Sequence, residues 1–368
     1  MEEGKVLDTI KKMNQLGKQG KPFVFLIDFE LNEPRVFTWE ESFEFLSWST
    51  PNYQNGLSPQ KKPTLRQWEI EPVPYQKYKT GFEQIQKHIL QGDTYLLNYT
   101  QPTKVTTNLN LAALFALSDA PFRVYLKGRF VCFSPEIFVR IKDGKISSFP
   151  MKGTIDAALE NARETILKDT KEIAEHNTIV DLIRNDLGVV ASHVRVEKFR
   201  YTEVIQTNQK ELIQVSSKIS GALPADYQSK IGTLLFQLLP AGSISGAPKS
   251  KTIEIIQTAE GYQRGYYTGI FGVFDGKNLE SAVMIRYIEE QDGQLFYKSG
   301  GGITFLSDCR TEYEEMINKV YQLPLQFIGN GGQRFWGKWR VALLHHQFYQ
   351  TRSGRILCRT IHWFPKLF

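Results

Sequence analysis

The apolar positions along the chain predict both buried strands and amphipathic helices. Residues 22–29 form an almost continuous apolar run that is typical of a buried strand. Between Tyr78 and Ile89, large apolar residues recur at spacings of four, three and four, which predicts a helix with one apolar face. Gly92 follows at the position where a glycine commonly ends a helix. The stretch 50–64 collects proline, glycine, asparagine and glutamine, and this composition favours a loop.

Further along the chain, strands are predicted in adjacent groups instead of in strict alternation with helices. The predicted strands are 94–100, 123–126, 129–133, 137–141, 267–274, 280–288 and 294–298, with a tight turn at Asp143-Gly144. The predicted helices are 160–187, 226–239, 248–259 and 309–322. Such grouping indicates an α+β protein with a mainly antiparallel sheet system.

Composition restricts the class of protein. The chain has 368 residues, 41% of them hydrophobic and 23% charged, which is ordinary for a globular protein with a sizeable core. No run of about 18 apolar residues occurs, so no membrane span is expected. The first residues lack the apolar core of an export signal, and three scattered cysteines predict neither disulfides nor a zinc site. We therefore expect a cytoplasmic protein.

The net charge of +6 is concentrated at one end of the chain. Seven basic residues lie in 329–368, where no acidic residue occurs. Without that stretch the chain holds 38 basic and 39 acidic residues, a net charge of −1, so its charge gives no reason to expect nucleic-acid binding. The stretch is rich in Arg, Trp, His and Gln and has no clear period. This favours a poorly structured tail over a basic anchor for a polyanion.

Candidate chemistry is spread over several marked segments. They are Lys152 between an apolar strand end and a glycine, Glu175 on a predicted helix, the glycine-rich runs 242–249 and 300–303, and the pair Glu312 and Glu315. Together they offer a nucleophilic amine, acidic metal ligands and backbone donors for an anionic substrate. This combination predicts an enzyme.

These segments resemble the chorismate-utilising enzymes. That family includes the component I subunits of anthranilate synthase and aminodeoxychorismate synthase, and the isochorismate and salicylate synthases. The matching pieces, in order, are GDTYLLNYTQ (92–101), SPE (134–136), PMKGT (150–154), AEH (174–176), DLIRNDLG (181–188), GSISGAPK (242–249), AVMIR (282–286), GGGI (300–303) and EYEE (312–315). Each piece alone is a weak signal, but all of them in this order are a strong one.

The resemblance implies a fold and a domain organisation. Members of the family have a large antiparallel β-sheet sandwich wrapped by helices, with the active site between the sheets. We therefore expect one catalytic domain over 1–328. Within it, 72–325 match best and 1–71 supply the first strands; the tail 329–368 follows.

The resemblance also implies a Mg²⁺ ion held by Glu175, Glu312 and Glu315. Mg²⁺ prefers oxygen ligands and can position a substrate carboxylate. Glu312 and Glu315 are three residues apart, so one helix would present both on one face. The simpler alternative for this face is a solvated surface on which Glu315 pairs with Lys319. For Glu175 the alternative is an ordinary surface carboxylate.

Lys152 distinguishes members of the family from one another. The family position that corresponds to Lys152 usually holds alanine in the anthranilate, isochorismate and salicylate synthases. It often holds lysine in the aminodeoxychorismate synthases. The implied mechanism is attack by Lys152 at C2 of the chorismate ring while the 4-hydroxyl leaves, after which ammonia adds at C4 and expels the lysine. Apolar neighbours such as Phe149 and Met151 are expected to favour the free amine by desolvation. The alternative is a lysine that reaches past a turn to solvent.

Glu136 corresponds to a family glutamate that acts as general acid near the reacting hydroxyl. Burial would support this role by raising the pKa of the carboxyl. The alternative is an edge-strand carboxylate that faces water. A further group of residues is implied to hold the substrate and its two carboxylates: Thr154, Tyr267, Arg286, Gly246, Ala247, Lys249, Gly300, Gly301 and Gly302.

Each of these substrate contacts has a physical basis and a simpler alternative. Arginine offers a planar fork to a carboxylate, and glycines and helix starts let backbone N–H groups approach an anion. The alternatives are a strand-face salt bridge for Arg286, plain packing for Tyr267 and a surface charge for Lys249. Thr154 could merely cap a turn, and the three glycines could form a hairpin turn.

The interpretation that these residues favour is aminodeoxychorismate synthase component I. Gln214 stands where family members often have a histidine, and glutamine is not an acid or base at neutral pH, which disfavours the elimination that forms anthranilate. Anthranilate synthase component I and isochorismate synthase are the alternative enzymes, and an inactive chorismate-binding homologue is the non-enzyme alternative. No Gly-x-Cys-x-Gly nucleophile turn occurs, so ammonia is expected from a separate glutaminase subunit or from solution. A tryptophan-feedback segment is not evident at 26–29, and we predict no tryptophan control.

Overall fold

The computed structural model describes residues 2–55, 63–206, 211–321, 323, 327–328 and 334–335. The helices are α1 (Glu2–Lys18), α2 (Trp39–Phe45), α3 (Tyr75–Leu90), α4 (Leu111–Leu117), α5 (Ala162–Lys168), α6 (Thr170–Val190), α7 (Ile231–Gln237), α8 (Lys249–Glu260) and α9 (Cys309–Lys319), with 3₁₀ turns at Tyr227–Lys230 and Gly242–Ile244. The strands are β1 (Phe23–Ile27), β2 (Arg35–Thr38), β3 (Leu46–Ser49), β4 (Trp68–Pro72), β5 (Leu96–Thr107), β6 (Phe122–Leu126), β7 (Phe130–Ser134), β8 (Ile137–Lys142), β9 (Lys145–Ser148), β10 (Met151–Asp156), β11 (Ser192–Gln206), β12 (Glu211–Ala222), β13 (Gly246–Ala247), β14 (Ile270–Phe274), β15 (Leu279–Val283), β16 (Tyr287–Gln291), β17 (Gln294–Ile303), β18 (Phe327–Ile328) and β19 (Arg334–Phe335).

Two antiparallel sheets form the body of the protein. The first sheet has the order β10-β12-β9-β8-β15-β14-β1-β2, with β11 paired to β12. The second sheet has the order β13-β5-β17-β16-β7-β6-β3, with β4 paired to β5. The prediction of an α+β protein with antiparallel sheets is confirmed.

A hydrophobic core lies between the two sheets, and another covers the outer face of the first sheet. In β1, Val24 and Leu26 pack with Trp48 and Tyr287 of the second sheet. The alternate residues of β1 pack instead with α1 and α7. Because both faces of β1 are covered, its sequence is a continuous apolar run without the polar alternation of a half-exposed strand.

The helices wrap the sheets and carry acidic residues toward them. α6 packs on β10, β11 and β12 of the first sheet, while α8 packs on β5 and α9 on β17 of the second. No helix among the described residues is long and apolar enough to cross a membrane.

Two predicted elements are each broken in the structure. The helix predicted at 160–187 is two helices, because Asp169 ends α5 and caps α6 by accepting a hydrogen bond from the Glu172 N–H at 3.0 Å. The strand predicted at 280–288 is also two: β15 belongs to the first sheet and β16 to the second. The chain therefore crosses between the sheets at 284–286.

Other differences concern the chain ends and two long strands. The expectation that 1–71 supply strands holds for β1 to β4, but α1 and α2 also lie there. The strands β11 and β12 were not predicted, and β17 runs to Ile303 instead of ending at 298. Most of the tail 329–368 lies outside the described residues; Arg334–Phe335 pair with Phe327–Ile328. The single-domain assignment stays a prediction.

Candidate active site

A cleft between the two sheets brings several of the predicted residues together. Its volume, counted where a water-sized sphere fits, is about 100 Å³, which is room for several water molecules. The first sheet contributes β10, the second contributes β5 and β17, and α6 closes one side. The lining residues are Leu96, Asn98, Glu136, Pro150, Met151, Lys152, Ile179, Gly242, Ser243, Ser245, Gly246 and Gly302.

A β-bulge places Lys152 in this cleft. Where β10 pairs with β12, Met151 lies opposite Ser216 and Thr154 lies opposite Gln214, so β10 carries one extra residue between the pairs. Such a bulge redirects a side chain out of the regular alternation. Gly153 adopts a φ of +91°, a left-handed conformation that glycine tolerates. A Cβ at this position would also lie only 3.1 Å from Oε2 of Glu172.

Carboxylates surround the Lys152 amine. Its Nζ lies 2.5 Å from Oε2 of Glu175, which projects from α6. Burial lowers the pKa of Lys152, but the charges of Glu175, Glu172 and Glu315 outweigh it and the pKa is raised. Burial therefore acts in the expected direction, but the carboxylates reverse the net effect, so this structure does not favour the free amine. The sequence pattern places Phe149 and Met151 beside the lysine but does not reveal carboxylates brought in by other helices.

Glu136 lies in the same cleft, between β7 and β8. The Ser243 hydroxyl donates a hydrogen bond to Oε1 of Glu136 at 2.5 Å. Burial raises the pKa of Glu136, although the bond from Ser243 and the positive charge of Arg286 oppose that rise. A carboxyl with a raised pKa holds its proton at higher pH, which is the property that a general acid needs.

The acidic pair on α9 faces β17 across a glycine. Glu312 is 8% exposed. A Cβ on Gly301 would lie 3.2 Å from Oε2 of Glu312 and 3.6 Å from Oε1 of Glu315, so the glycine permits this close approach. Lys319 pairs with Glu315 at 2.7 Å and donates to the Gly300 carbonyl at 2.7 Å. The ion pair of the solvated-surface alternative exists, and the Glu315 side chain is 51% exposed, whereas Glu312 on the same helix is buried.

The predicted metal ligands lie around the cleft without forming a cluster. Among the described residues, no group of three or more His, Cys, Asp or Glu side chains is arranged to hold a metal ion. Glu175 and Glu315 are each ion-paired with a lysine, Lys152 and Lys319 respectively. Carboxylate oxygens fit a hard divalent cation by donor type. In this structure the positive charge beside each of these two carboxylates comes from a lysine ammonium group.

Arg286 lies where the chain crosses from one sheet to the other. Its φ of +56° is left-handed, an uncommon and strained conformation for a residue with a side chain. It hydrogen-bonds to Tyr297, and its charge acts on Glu136 and Lys319. Arg286 therefore lies in the segment between β15 and β16 and not on the face of a strand, as the simpler alternative required. Strained residues of this kind are common at functional sites.

Tyr267 is packed in the core between the sheets. It is 4% exposed, and its ring centroid lies 5.8 Å from that of Tyr287. It precedes β14 in a turn, whereas the predicted strand began at 267. It is not among the residues that line the cleft, so its assignment to the substrate stays a prediction.

The glycine-rich run of β17 is a paired strand. Gly300, Gly301 and Gly302 lie opposite Thr100, Tyr99 and Asn98 of β5. The alternative, a hairpin turn, is wrong, because the run continues the ladder. The assignment of these glycines to a substrate carboxylate stays a prediction, and Gly302 lines the cleft. A Cβ on Gly300 would lie 2.0 Å from the Tyr99 carbonyl oxygen. The absence of side chains therefore serves close packing here.

The segment before α8 contributes its backbone to the cleft, whereas the charged amine of Lys249 is paired with α6. Gly246 lines the cleft with a φ of +136°, and Gly246–Ala247 pair with Leu96 and Leu97 of β5. Lys249 is the first residue of α8, as predicted for a helix start. Its amine pairs with Asp186 at 2.8 Å, which joins α8 to α6.

Thr154 is exposed on β10, opposite Gln214 of β12. Neither residue lines the cleft. Because Gln214 lies outside the cleft lining, the structure does not test whether its replacement of the family histidine disfavours anthranilate formation. That expectation stays a prediction.

Several cleft residues were not predicted. Ser243 and Ser245 lie in the matching piece 242–249, but no role was assigned to them. Asn98 lines the cleft with a buried Oδ1 that has no hydrogen-bond partner among the described residues. Lys319 was considered only as a surface partner of Glu315. For each of these residues, the sequence offered one signal: the residue lies within or beside a segment that matches the family.

The comparisons with known proteins agree with the geometry. A family model described as chorismate binding enzyme matches residues 11–323. The chain belongs to the chorismate-binding enzyme family. It is 49% identical over 314 residues to an uncharacterized PabA-like protein of Pasteurella multocida, covering 85% of this chain and 97% of that protein.

Relatives with assigned names differ in their reactions. The chain is 35% identical over 266 residues to anthranilate synthase component 1 of Acetivibrio thermocellus, covering 67% of this chain and 52% of that protein. It is 30% identical over 267 residues to aminodeoxychorismate synthase component 1 of Bacillus subtilis, covering 68% and 56%. Sequence identity therefore does not separate the two activities.

Solved structures of the family share the fold. Anthranilate synthase component I from Streptococcus pneumoniae superposes with a TM-score of 0.59 at 26% identity, covering 73% of this chain and 61% of that chain. The menaquinone-specific isochorismate synthase of Escherichia coli superposes with a TM-score of 0.67 at 17% identity, covering 86% and 80%. The predicted sandwich architecture is confirmed.

Proposed function

We propose that this chorismate-binding enzyme is aminodeoxychorismate synthase component I, which converts chorismate and ammonia to 4-amino-4-deoxychorismate for p-aminobenzoate and folate synthesis. The observation that carries the proposal is the presence of Lys152 and Glu136 in one cleft between the sheets. An amine and a carboxyl with a raised pKa are the two groups that the substitution requires.

The residues of the cleft account for the first bond changes. The Lys152 nitrogen attacks C2 of the ring, both ring double bonds shift around the ring toward C4, and the 4-hydroxyl leaves as water with the proton of Glu136. Lys152 must first lose its own proton, which the neighbouring carboxylates oppose. Neutralising the charge of Glu175 would lower the pKa of Lys152 and release the free amine.

Mg²⁺ is the proposed cofactor, and Glu175, Glu312 and Glu315 are the residues that would hold it. When bound, it would supply a positive charge that positions a substrate carboxylate. Arg286 is proposed to bind the other carboxylate with its planar guanidinium. What supports this is that its positive charge lowers the pKa of Glu136, which lines the cleft.

Ammonia is proposed to come from a separate glutaminase subunit, with free ammonium as the substitute in a test tube. Two other reactions belong to the same family. Anthranilate synthase is favoured by the 35% identity to the Acetivibrio thermocellus enzyme, and isochorismate synthase would use water in place of ammonia. An inactive homologue would bind chorismate without turnover.

Product identification tests the proposal. The full chain is incubated with chorismate, ammonium and Mg²⁺, and the products are identified by mass spectrometry. Lys152→Ala is expected to lose nearly all activity. Lys168→Ala is the matched control, because the Lys168 side chain is 79% exposed on α5.

Each possible product has a defined meaning. Aminodeoxychorismate from the parent and the control, but not from Lys152→Ala, supports the proposal. Anthranilate with pyruvate, or isochorismate, would replace it with the corresponding alternative. Chorismate that binds and is not converted, even with ammonia supplied in excess, would contradict an enzymatic role.

A further inference from the structure

A buried tyrosine hydroxyl joins Arg286 to helix α9. Tyr297 lies on β17 and is 0% exposed. Its hydroxyl donates a hydrogen bond to the carbonyl of Lys319, the last residue of α9, at 3.0 Å. The same hydroxyl accepts a hydrogen bond from the guanidinium of Arg286. It therefore contacts both the residue proposed to bind a substrate carboxylate and the helix that carries two of the predicted metal ligands.

The surroundings of Tyr297 are apolar. It lies in one hydrophobic cluster with Val105, Ile288 and Val320, each of them 1% exposed or less. A hydroxyl buried among such side chains needs protein partners, because water cannot reach it. A tyrosine hydroxyl can donate one hydrogen bond and accept others, and here it does both. Burial raises the pKa of Tyr297, although Arg286 opposes the rise, so the hydroxyl keeps its proton at neutral pH.

The bond to Lys319 has a counterpart two residues further along β17. The last four carbonyls of a helix have no partner within that helix. Ser299, which lies on the same face of β17 as Tyr297, donates its hydroxyl to the carbonyl of Met316 at 2.8 Å. Both hydroxyls therefore hold the end of α9 against β17. A change at Ser299 loosens this helix end but leaves in place the hydroxyl to which Arg286 bonds.

The guanidinium of Arg286 must be oriented if it is to bind a carboxylate. A planar guanidinium offers two parallel N–H groups to a carboxylate in one orientation only. The charge of Arg286 is attracted by Glu136 and repelled by Lys319, and neither force fixes the plane of the group. The hydroxyl of Tyr297 is a directional partner without charge. It can hold the guanidinium and leave its full positive charge available to a substrate anion.

We propose that Tyr297 is a positioning residue, whose hydroxyl holds the guanidinium of Arg286 in the orientation that binds a carboxylate of chorismate and fixes it relative to α9. The inference rests on one part of the proposed function, the binding of a carboxylate by Arg286. Tyr297 is not among the residues that line the cleft, so it acts through Arg286 and not on the reacting atoms. Loss of binding that is equal in the ground state and the transition state raises KM and leaves kcat unchanged.

The test removes single hydroxyl groups. Tyr297→Phe keeps the ring, and Ser299→Ala is the control for the end of α9. Tyr227→Phe is the control for a buried tyrosine, since Tyr227 is 7% exposed, donates to the Lys277 carbonyl at 2.7 Å and does not line the cleft. Each full-length variant is assayed with chorismate, ammonium and Mg²⁺. The Kd for chorismate is also measured by calorimetry with Mg²⁺ in the Lys152→Ala background, where no adduct forms.

The expected result is a change in binding alone. Tyr297→Phe raises the KM and the Kd for chorismate about tenfold, as for the loss of one hydrogen bond to a charged group. Its kcat is unchanged, and both controls bind chorismate as the parent does. If Tyr297→Phe does not fold, Tyr297→Met replaces it, because methionine also lacks the hydroxyl and adapts its shape to the space of the ring.

A double variant tests whether Tyr297 acts through Arg286. Once Arg286→Ala has removed the guanidinium, adding Tyr297→Phe is expected to cause no further rise in the Kd for chorismate. Two residues that contribute independently would instead give effects that add.

Several outcomes would overturn the inference. They are an unchanged Kd for chorismate in folded Tyr297→Phe, an equal rise in Ser299→Ala, additive effects in the double variant, and a fall in kcat at unchanged KM. Anthranilate or isochorismate as the product of the parent would contradict the proposed function, whereas the comparison of Kd values would still decide the role of Tyr297. Chorismate that does not bind at all would contradict both.

Discussion

Both reactive side chains of the cleft hold a proton more strongly than they would in water. The pKa of Lys152 is raised by carboxylates, and the pKa of Glu136 is raised by burial. Glu136 is thus ready to donate its proton, but Lys152 must lose one before it can attack. The residues around each group therefore decide when the site is reactive.

Ser243 sets the pH range over which Glu136 acts as an acid. Its hydrogen bond lowers the pKa of Glu136, so Ser243→Ala raises that pKa further. Activity that needs protonated Glu136 is lost as pH rises through its pKa, and the alkaline limb moves to higher pH. The measurement is the pH dependence of adduct formation with chorismate and Mg²⁺, without ammonia. Ser245→Ala, which lines the same cleft and bonds to Ala241 instead, is expected to leave the limb in place.

Gly153 is expected to be sensitive to a single added methyl group. Gly153→Ala puts a side chain at a φ of +91° and near Glu172, which is expected to cost about 1–3 kcal/mol in the free energy of unfolding. It also shifts the neighbouring Lys152, so kcat falls. Urea unfolding and steady-state kinetics measure the two effects.

Gly188→Ala is the control for this substitution. Gly188 lies in α6, and among the described residues nothing beyond the backbone of that helix and the adjacent residues comes within 4 Å of the place where an alanine methyl group would stand. Alanine favours a helix interior over glycine, so a gain of about 0.5–1 kcal/mol is expected. Equal losses in both variants would contradict the role given to the bulge.

At the scale of elements, the sequence predicted regular segments better than their interruptions. Helix α1 carries apolar residues at Val6, Ile10, Met13 and Leu16, spaced by four, three and three, so a helical period was present although no helix was predicted there. In β11, shifts of register and left-handed residues at His193 and Arg200 disturb the alternation of a strand. Regular periodicity was the available signal, and β11 lacks it whereas α1 has it.

The crossing between the sheets stores strain at Arg286. Arg286→Gly and Arg286→Ala both remove the guanidinium and are expected to raise the KM for chorismate. Only glycine adopts the left-handed conformation at 286 without strain. The free energy of unfolding of Arg286→Gly is therefore expected to exceed that of Arg286→Ala by about 1 kcal/mol. Denaturant unfolding of the two variants gives the comparison. An alanine variant as stable as the glycine variant would contradict a strained crossing.

At the scale of the whole molecule, the family resemblance predicted the sandwich and the place of its cleft. It could not predict which charges the fold gathers around Lys152, because Glu172 and Glu175 arrive on α6 and Glu315 arrives on α9. Nor could it predict the course of β17, in which the glycines that suggested a nest continue the ladder. Long-range packing determines both features.

A buried ion pair at the end of α8 is joined to β5 near the cleft. Arg264 and Glu260 side chains are each 1% exposed, and Arg264 also donates to the Asn98 carbonyl at 2.5 Å. Arg264→Met leaves the Glu260 charge buried and is expected to cost about 3–5 kcal/mol in the free energy of unfolding. The double variant Arg264→Met with Glu260→Gln is expected to recover part of this loss in urea unfolding. A double variant less stable than the single one would contradict this explanation.

The most direct test of the account is the covalent adduct on Lys152. The full chain is mixed with chorismate and Mg²⁺ without ammonia, and its intact mass is measured before peptide mapping. The account predicts a mass gain of one chorismate less one water, located on Lys152 and absent in Lys152→Ala. When ammonium is added, this adduct is expected to disappear as aminodeoxychorismate forms. Aminodeoxychorismate made by Lys152→Ala at the parent rate, with no adduct in either protein, would contradict it.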